Sequence, residues 1–173
     1  MAKLKELIDA AVTVLDALNT RIENNVISQA ATLKPQIVSL AKRIQDLISL
    51  VKKTLLAVEK AYGDIESPKT IVVEPLWSIS VLDDRLVITR HKPKTITLSY
   101  SKSEETVVVR AKDYSVELRS GVVKMGRLVL KLEVDPADAD ELAAKQNDIK
   151  YVLKEVIPEV ELMSIAAEKK FAK

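Results

Sequence analysis

The 173-residue chain contains no cysteine, one histidine and three glycines. Without cysteine it forms no disulfide, thiolate zinc site, iron–sulfur site or cysteine nucleophile. A single histidine excludes metal sites built from several imidazoles. The scarcity of glycine argues against the glycine-rich loops that hold phosphate groups. These absences remove the most easily recognised classes of metalloprotein and nucleotide-binding enzyme.

Long apolar runs are also missing. No stretch approaches the roughly 18 uncharged apolar residues of a membrane-spanning helix, and charges at Lys3, Lys5, Glu6 and Asp9 break up any secretory signal. The composition is 47% hydrophobic and 30% charged, which is typical of a soluble globular chain and suits a cytosolic protein of a thermophile. We therefore expect a cytoplasmic protein with no membrane contact.

Residues 1–67 have the apolar spacing of two amphipathic helices of about 30 and about 28 residues. Pro35 suits the first turn of the second helix, and Gly63 suits the position just after its end. A break near residues 32–34, or alternatively at Asn24-Asn25, predicts an antiparallel helical hairpin. The stripe of the first helix comprises Leu4, Leu7, Ala11, Val14 and Leu18, and that of the second comprises Ile37, Leu40, Ile44, Leu47, Val51 and Val58.

Residues 68–134 change to a period of two, which indicates β-strands. Apolar residues alternate with polar ones around Trp77, Ile88, Leu98, Val109 and Leu130. Turn signals separate the runs. This segment predicts an antiparallel meander of six or seven strands that forms a twisted sheet or an open barrel.

Residues 135–173 return to a helical period, and Pro158 is expected to break this helix. We expect it to pack on the rest of the chain. The acidic residues at its start, Asp135 to Glu141, fit an N-cap and the helix dipole and lack the spacing of a calcium loop, so no metal site is assigned. The fold class is therefore α+β. The order helix–sheet–helix resembles prefoldin-type chaperone subunits in outline, without a shared motif that assigns residues.

Positive charge is concentrated in the β segment. Residues 68–134 hold 12 basic and 8 acidic residues, a net charge of +4, whereas residues 135–173 have a net charge of −3. A basic β surface is a candidate for contacts with phosphate groups of a nucleic acid. The candidate anion-binding residues are Arg90, His91, Lys92, Lys94, Arg110, Lys112, Arg119 and Lys131.

Enzymatic signals are weak. The periodicity puts Trp77, Tyr100 and Tyr114 on the apolar face, so no aromatic platform for stacked bases is expected. His91 has cationic neighbours and no orienting carboxylate nearby in the sequence, and no Gly-x-Ser-x-Gly elbow supplies a nucleophile. We predict no catalytic residues, no cofactor and no metal.

Each predicted helix is longer than a β-strand, which spans about 20 Å. The sheet therefore cannot cover the full length of the helices. We therefore expect part of the two helical stripes to pair with another subunit as a coiled coil or bundle. The sequence predicts a non-enzymatic assembly or scaffold protein that forms a homo-oligomer through these stripes and presents a mildly basic β surface to a partner. The alternative function is nucleic-acid binding through the basic residues of the β segment.

Overall fold

The computed structural model describes most of the first 131 residues of the chain. The described residues are 3–25, 27–32, 35–73, 77–91, 95–111, 114–119, 122–125, 128–131 and 169. The predicted C-terminal helix, broken at Pro158, lies outside them apart from Lys169. That helix and the division of the chain at residues 67 and 134 stay predictions.

Two α-helices precede the sheet. Helix α1 spans Leu4–Asn25 and helix α2 spans Pro35–Tyr62, with a 3₁₀ helix at Ile27–Thr32 between them. The second helix has 28 residues and begins at its proline, where the missing N–H is harmless.

Side-chain contacts fix the direction in which the two helices pair. Lys52 Nζ lies 2.9 Å from Asp16 Oδ1, and Gln45 Nε2 donates to Glu23 Oε2 over 2.9 Å. Residue numbers that increase along α1, from Asp16 to Glu23, are therefore matched by residue numbers that decrease along α2, from Lys52 to Gln45. The helices run antiparallel, and each apolar stripe faces the other.

The first helix is shorter than predicted. It has 22 residues rather than about 30 and ends at Asn25, the alternative position for the turn. The Ser28 hydroxyl donates to the carbonyl of Asn24, one of the helix-end carbonyls that have no partner within the helix. A local side-chain bond of this kind competes with continued α-helix.

The start of α1 is bound to the end of α2. The backbone N–H of Leu4 donates to the Ile65 carbonyl (2.8 Å), and that of Lys5 donates to the Gly63 carbonyl (3.0 Å). These N–H groups would otherwise lack partners at a helix N-terminus. Gly63 is required here because a Cβ at this position would lie 2.6 Å from the Glu59 carbonyl oxygen.

The remaining described residues form one antiparallel sheet in which each strand pairs with the next. The α+β class and the antiparallel sheet predicted from the sequence are confirmed. Among the described strands, the first and the last are not paired with each other, so the sheet is open. The strands are β1 Lys69–Val73, β2 Trp77–Val81, β3 Arg85–Arg90, β4 Ile96–Ser101, β5 Thr106–Ala111, β6 Tyr114–Arg119, β7 Val122–Met125 and β8 Leu128–Lys131.

The described sheet has eight strands, where six or seven were expected. Strand β1 was missed because Ile71, Val72 and Val73 form a continuous apolar run without alternation. Strand β7 was missed because it lies between Gly121 and Gly126, which predict a turn. Hydrogen bonding to an adjacent strand overrides these weak local signals.

One face of the sheet, here called the inner face, forms the core with the helices. Helix α1 contacts β3, β5 and β6. Cross-strand register brings the inner side chains into line, and helices and strands share one buried apolar cluster. One row across six neighbouring strands contains Ile71, Ile79, Ile88, Leu98, Val109 and Val116.

Candidate interaction surface

The helical stripe residues lie inside the chain's own core. In α1, Leu4, Leu7, Ala11 and Leu18 are fully buried, and Val14 is half-buried against the same cluster. The α2 residues Ile44, Leu47, Val51 and Val58 are buried in the same way. The side chains of Ile37 and Leu40 lie outside the described residues. The stripe residues that the structure describes are therefore not available as an interface in this conformation.

The expectation that the helices exceed the available core is wrong for α1. Its 22 residues correspond to about 33 Å, and buried side chains occur along its whole length, from Leu4 to Ile22. The premise failed because α2 covers α1 from one side while the sheet covers it from another. A hairpin packed on a wide sheet needs no second subunit to bury its stripes.

The described members of the predicted cationic set do not share one surface. Arg90 pairs with Trp77 and Ile96, so it occupies the inner face at the end of β3 and is half-buried. His91 is exposed. Lys92, Lys94 and Lys112 lie outside the described residues, as does the side chain of Lys131, whose backbone pairs with Val122.

Two of these cations lie exposed on the opposite face of the sheet, here called the outer face. They are Arg110 and Arg119. Arg110 pairs with Ser115, and Arg119 lies four residues further along β6, or about 13 Å at about 3.3 Å per residue. Glu117 occupies an outer-face position between them. These two arginines do not form a compact basic cluster.

The outer face has a feature that the sequence analysis missed. Two rows of outer-face positions across β1 to β5, beside the row of Arg85 and the buried Ser101 and Thr106, carry only serine, threonine and valine apart from Arg110, although 30% of the chain is charged. We call this set the neutral face. It consists of Thr70, Val72, Ser78, Ser80, Val87, Thr89, Thr97, Ser99 and Val108.

Cross-strand register makes the neutral face continuous. One row runs from Thr70 through Val87 to Val108, and a second runs from Val72 through Thr89 to Thr97. Neighbouring strands lie about 4.8 Å apart, so adjacent members of a row contact each other. These side chains are half-buried, except that Thr70 and Val72 on the edge strand are exposed, Val72 to 73%.

Hydrogen bonds within the sheet already satisfy part of this face. The hydroxyls of Thr70 and Ser80 are 2.9 Å apart, and Ser78 Oγ lies 3.1 Å from His91 Nε2. Among the described outer-face residues of β1 to β5, the charged ones are Arg85 and Arg110, both exposed at the margin. Depletion of charge at the centre is a feature that this surface shares with protein–protein interfaces.

The described residues include one contact between a serine and the histidine. The contact between Ser78 and His91 has the distance of a nucleophile–base pair, but no described carboxylate contacts the ring of His91 to orient it. The same part of the chain contains no group of three or more histidine, cysteine, aspartate or glutamate residues arranged to hold a metal ion.

One further group of charged residues lies where α2 ends beside α1. A cleft of about 530 Å³ there is lined by Lys5, Glu59, Asp64 and Lys69, among others. One carboxyl oxygen of Glu59, Oε2, is buried without a hydrogen-bond partner in the described structure. Burial raises the pKa of Glu59 above its usual value of 4.5, the neighbouring Asp9 carboxylate raises it further, and the Lys5 ammonium opposes both effects.

Sequence reasoning missed the neighbourhood of Asp9 and Glu59 because the two residues are fifty positions apart. Only the antiparallel register of the hairpin brings them to the same level. The neutral face was visible in principle as a run of small polar and valine residues at alternate positions. Its significance depends on which strands are adjacent, which the period of a single strand does not show.

Comparison with protein family models, curated proteins and solved structures finds no match to this chain. Among the described helices, none has the length and apolar character to cross a membrane. Function is therefore inferred from the surface of the sheet.

Proposed function

We propose that this chain is a non-enzymatic assembly protein that binds another protein through the neutral face of its sheet. The helical hairpin serves as the support that holds the sheet from its inner side. The proposed binding surface differs from the one expected from the sequence, because the helical stripes that were expected to contact another subunit are buried in the core. On its charged composition, we also propose a cytoplasmic location.

The observation behind the proposal is the absence of charge from nine neighbouring positions on the outer face. Burying a charged group without a partner is costly, whereas serine, threonine and valine are buried at much smaller cost. Their short side chains also lose less rotamer entropy than lysine, arginine or glutamate. A surface of this kind is well suited to association.

Photo-crosslinking tests the proposal. A benzophenone amino acid replaces Ser99 at the neutral face in one variant and Lys53, exposed on α2, in a control. Both are irradiated in a lysate of the source organism. We expect protein adducts, with a second copy or with another protein, from position 99 and few from position 53. Equal adduct formation from both positions, or none from position 99, contradicts the proposal.

Nucleic-acid binding is the alternative function, supported by exposed Arg110 and Arg119 and by the net charge of the β segment. Fluorescence anisotropy with labelled DNA and RNA at two salt concentrations tests it. Micromolar binding that weakens steeply with salt, and that is lost in Arg110→Glu combined with Arg119→Glu, favours this alternative. Binding that the double variant leaves unchanged rules out the outer-face site.

A further inference from the structure

We infer that the partner of the neutral face is a second copy of the same chain, packed face to face about a two-fold axis near Val87 and Thr89. This inference rests on the proposed function and names the occupant of that surface. Three properties of the described residues favour a second copy over a different protein.

The first property is the distribution of charge. In a two-fold interface the same patch occurs on both subunits, so a residue close to the axis meets its own copy. A charged residue there would face a like charge. Val87 and Thr89 are uncharged, and their row neighbours Ser80 and Ser99, or Ser78 and Thr97, are uncharged as well. The rim residues lie further out: Arg85 is two residues from Val87 along β3, and Arg110 is two strands from Thr89 in the same row.

The second property is the hydrogen-bonding chemistry of the patch. A serine or threonine hydroxyl both donates and accepts, so it bonds with an identical group on another copy. A lysine ammonium only donates and a carboxylate only accepts, so neither pairs with itself in this way. The polar members of the neutral face are all hydroxyls: Thr70, Ser78, Ser80, Thr89, Thr97 and Ser99.

The third property is shape and size. Two identical sheets have the same strand spacing, so their ridges match when they pack about 10 Å apart at the usual angle of about 30°. Five strands of five or six residues cover about 24 Å by about 17 Å, or roughly 400 Å² in plan on each copy. For the two copies together this is about 800 Å² in plan, below the roughly 1,200–2,000 Å² of total accessible area that a stable complex buries. We therefore expect a weak, reversible dimer.

Cysteine cross-linking tests the inference on a clean background, because the chain has no cysteine. Thr89→Cys places a thiol beside the proposed axis, and Lys53→Cys places one on the exposed side of α2 as a matched control. A short bismaleimide is added at a concentration of protein that favours the dimer. We expect most Thr89→Cys chains to run as a covalent dimer and the control to remain largely monomeric.

Other results overturn the inference and show what else occupies the face. If Thr89→Cys stays monomeric while its thiol reacts readily with a small maleimide, the face is free of a second copy. The proposed function then depends on the photo-crosslinking result alone. If the thiol of monomeric Thr89→Cys is unreactive in the native protein but reactive in urea, another part of the chain covers the face, and both proposals fail.

Discussion

At the scale of single residues, Glu59 is the described group whose environment fits it least. Its Oε2 atom is buried without a hydrogen-bond partner, and a buried polar atom without one is destabilising. The nearby Asp9 carboxylate adds repulsion and Lys5 offsets part of it. A proton on Glu59 relieves both the burial cost and the repulsion.

The raised pKa of Glu59 predicts the direction of a pH effect. Between its unfolded and folded pKa values the folded chain holds a proton that the unfolded chain has released, so the free energy of unfolding falls as pH rises through that window. Glu59→Gln removes this dependence. We expect the variant to melt a few degrees above the wild type at about pH 8 and close to it at about pH 4, measured by circular dichroism.

Glu6→Gln is the matched control, since Glu6 is exposed on the same end of the hairpin. It is expected to leave the difference between the two pH values unchanged. A difference between Glu59→Gln and wild type that is the same at both pH values would show that Glu59 carries no such proton.

Gly63 gives a second prediction at this scale. Alanine at this position places a Cβ 2.6 Å from the Glu59 carbonyl oxygen, and the backbone must shift at the point where Gly63 also accepts from Lys5. We expect Gly63→Ala to lower the free energy of unfolding by more than about 1 kcal/mol, seen as a lower urea midpoint. An unchanged urea midpoint would mean that the backbone at the end of α2 accommodates the added Cβ without loss of stability.

At the scale of elements, the helical hairpin shows what a periodic pattern does and does not predict. The spacing of Leu4 to Leu18 identifies a buried stripe correctly, and Pro35 and Gly63 mark the limits of α2. The pattern does not say which molecule buries the stripe. That depends on the width of the sheet and the register of the hairpin, which are tertiary properties.

Two leucine substitutions distinguish burial of the helices in the chain's own core from burial in an intersubunit contact. Leu15 of α1 is fully buried, whereas Leu56 of α2 is 44% exposed. We expect Leu15→Ala to cost about 2–5 kcal/mol of unfolding free energy and Leu56→Ala less than about 1 kcal/mol, from urea denaturation. Both losses should be independent of protein concentration. A cost for Leu15→Ala that grows as the protein is diluted would instead assign the stripe to an intersubunit contact.

The strands show the same limit of sequence reasoning. Alternation around Trp77, Leu98 and Val109 predicts strands and their buried side correctly. The face of a residue at a strand end is harder to predict. In sequence Arg90 groups with the cations of residues 91–94, but it is the last residue of β3 and lies in register with Trp77, on the inner face. Whether the strand includes that last residue decides its face.

At the scale of the whole molecule, the two faces of the sheet have different roles. The inner face carries the apolar side chains that stabilise the fold together with the hairpin. The outer face keeps charge away from its centre while the rest of the chain is rich in it. This division is the basis of the proposal that the sheet is the binding element and the hairpin its support.

Sedimentation velocity over about 1 to about 200 μM protein tests this account most directly, with wild type compared with Thr89→Arg and with the control Lys53→Glu. The account predicts that wild type and control shift from monomer to dimer as concentration rises, and that Thr89→Arg stays monomeric because it places like charges at the axis. A wild type that remains monomeric throughout, or a Thr89→Arg variant that dimerises as the wild type does, would contradict it.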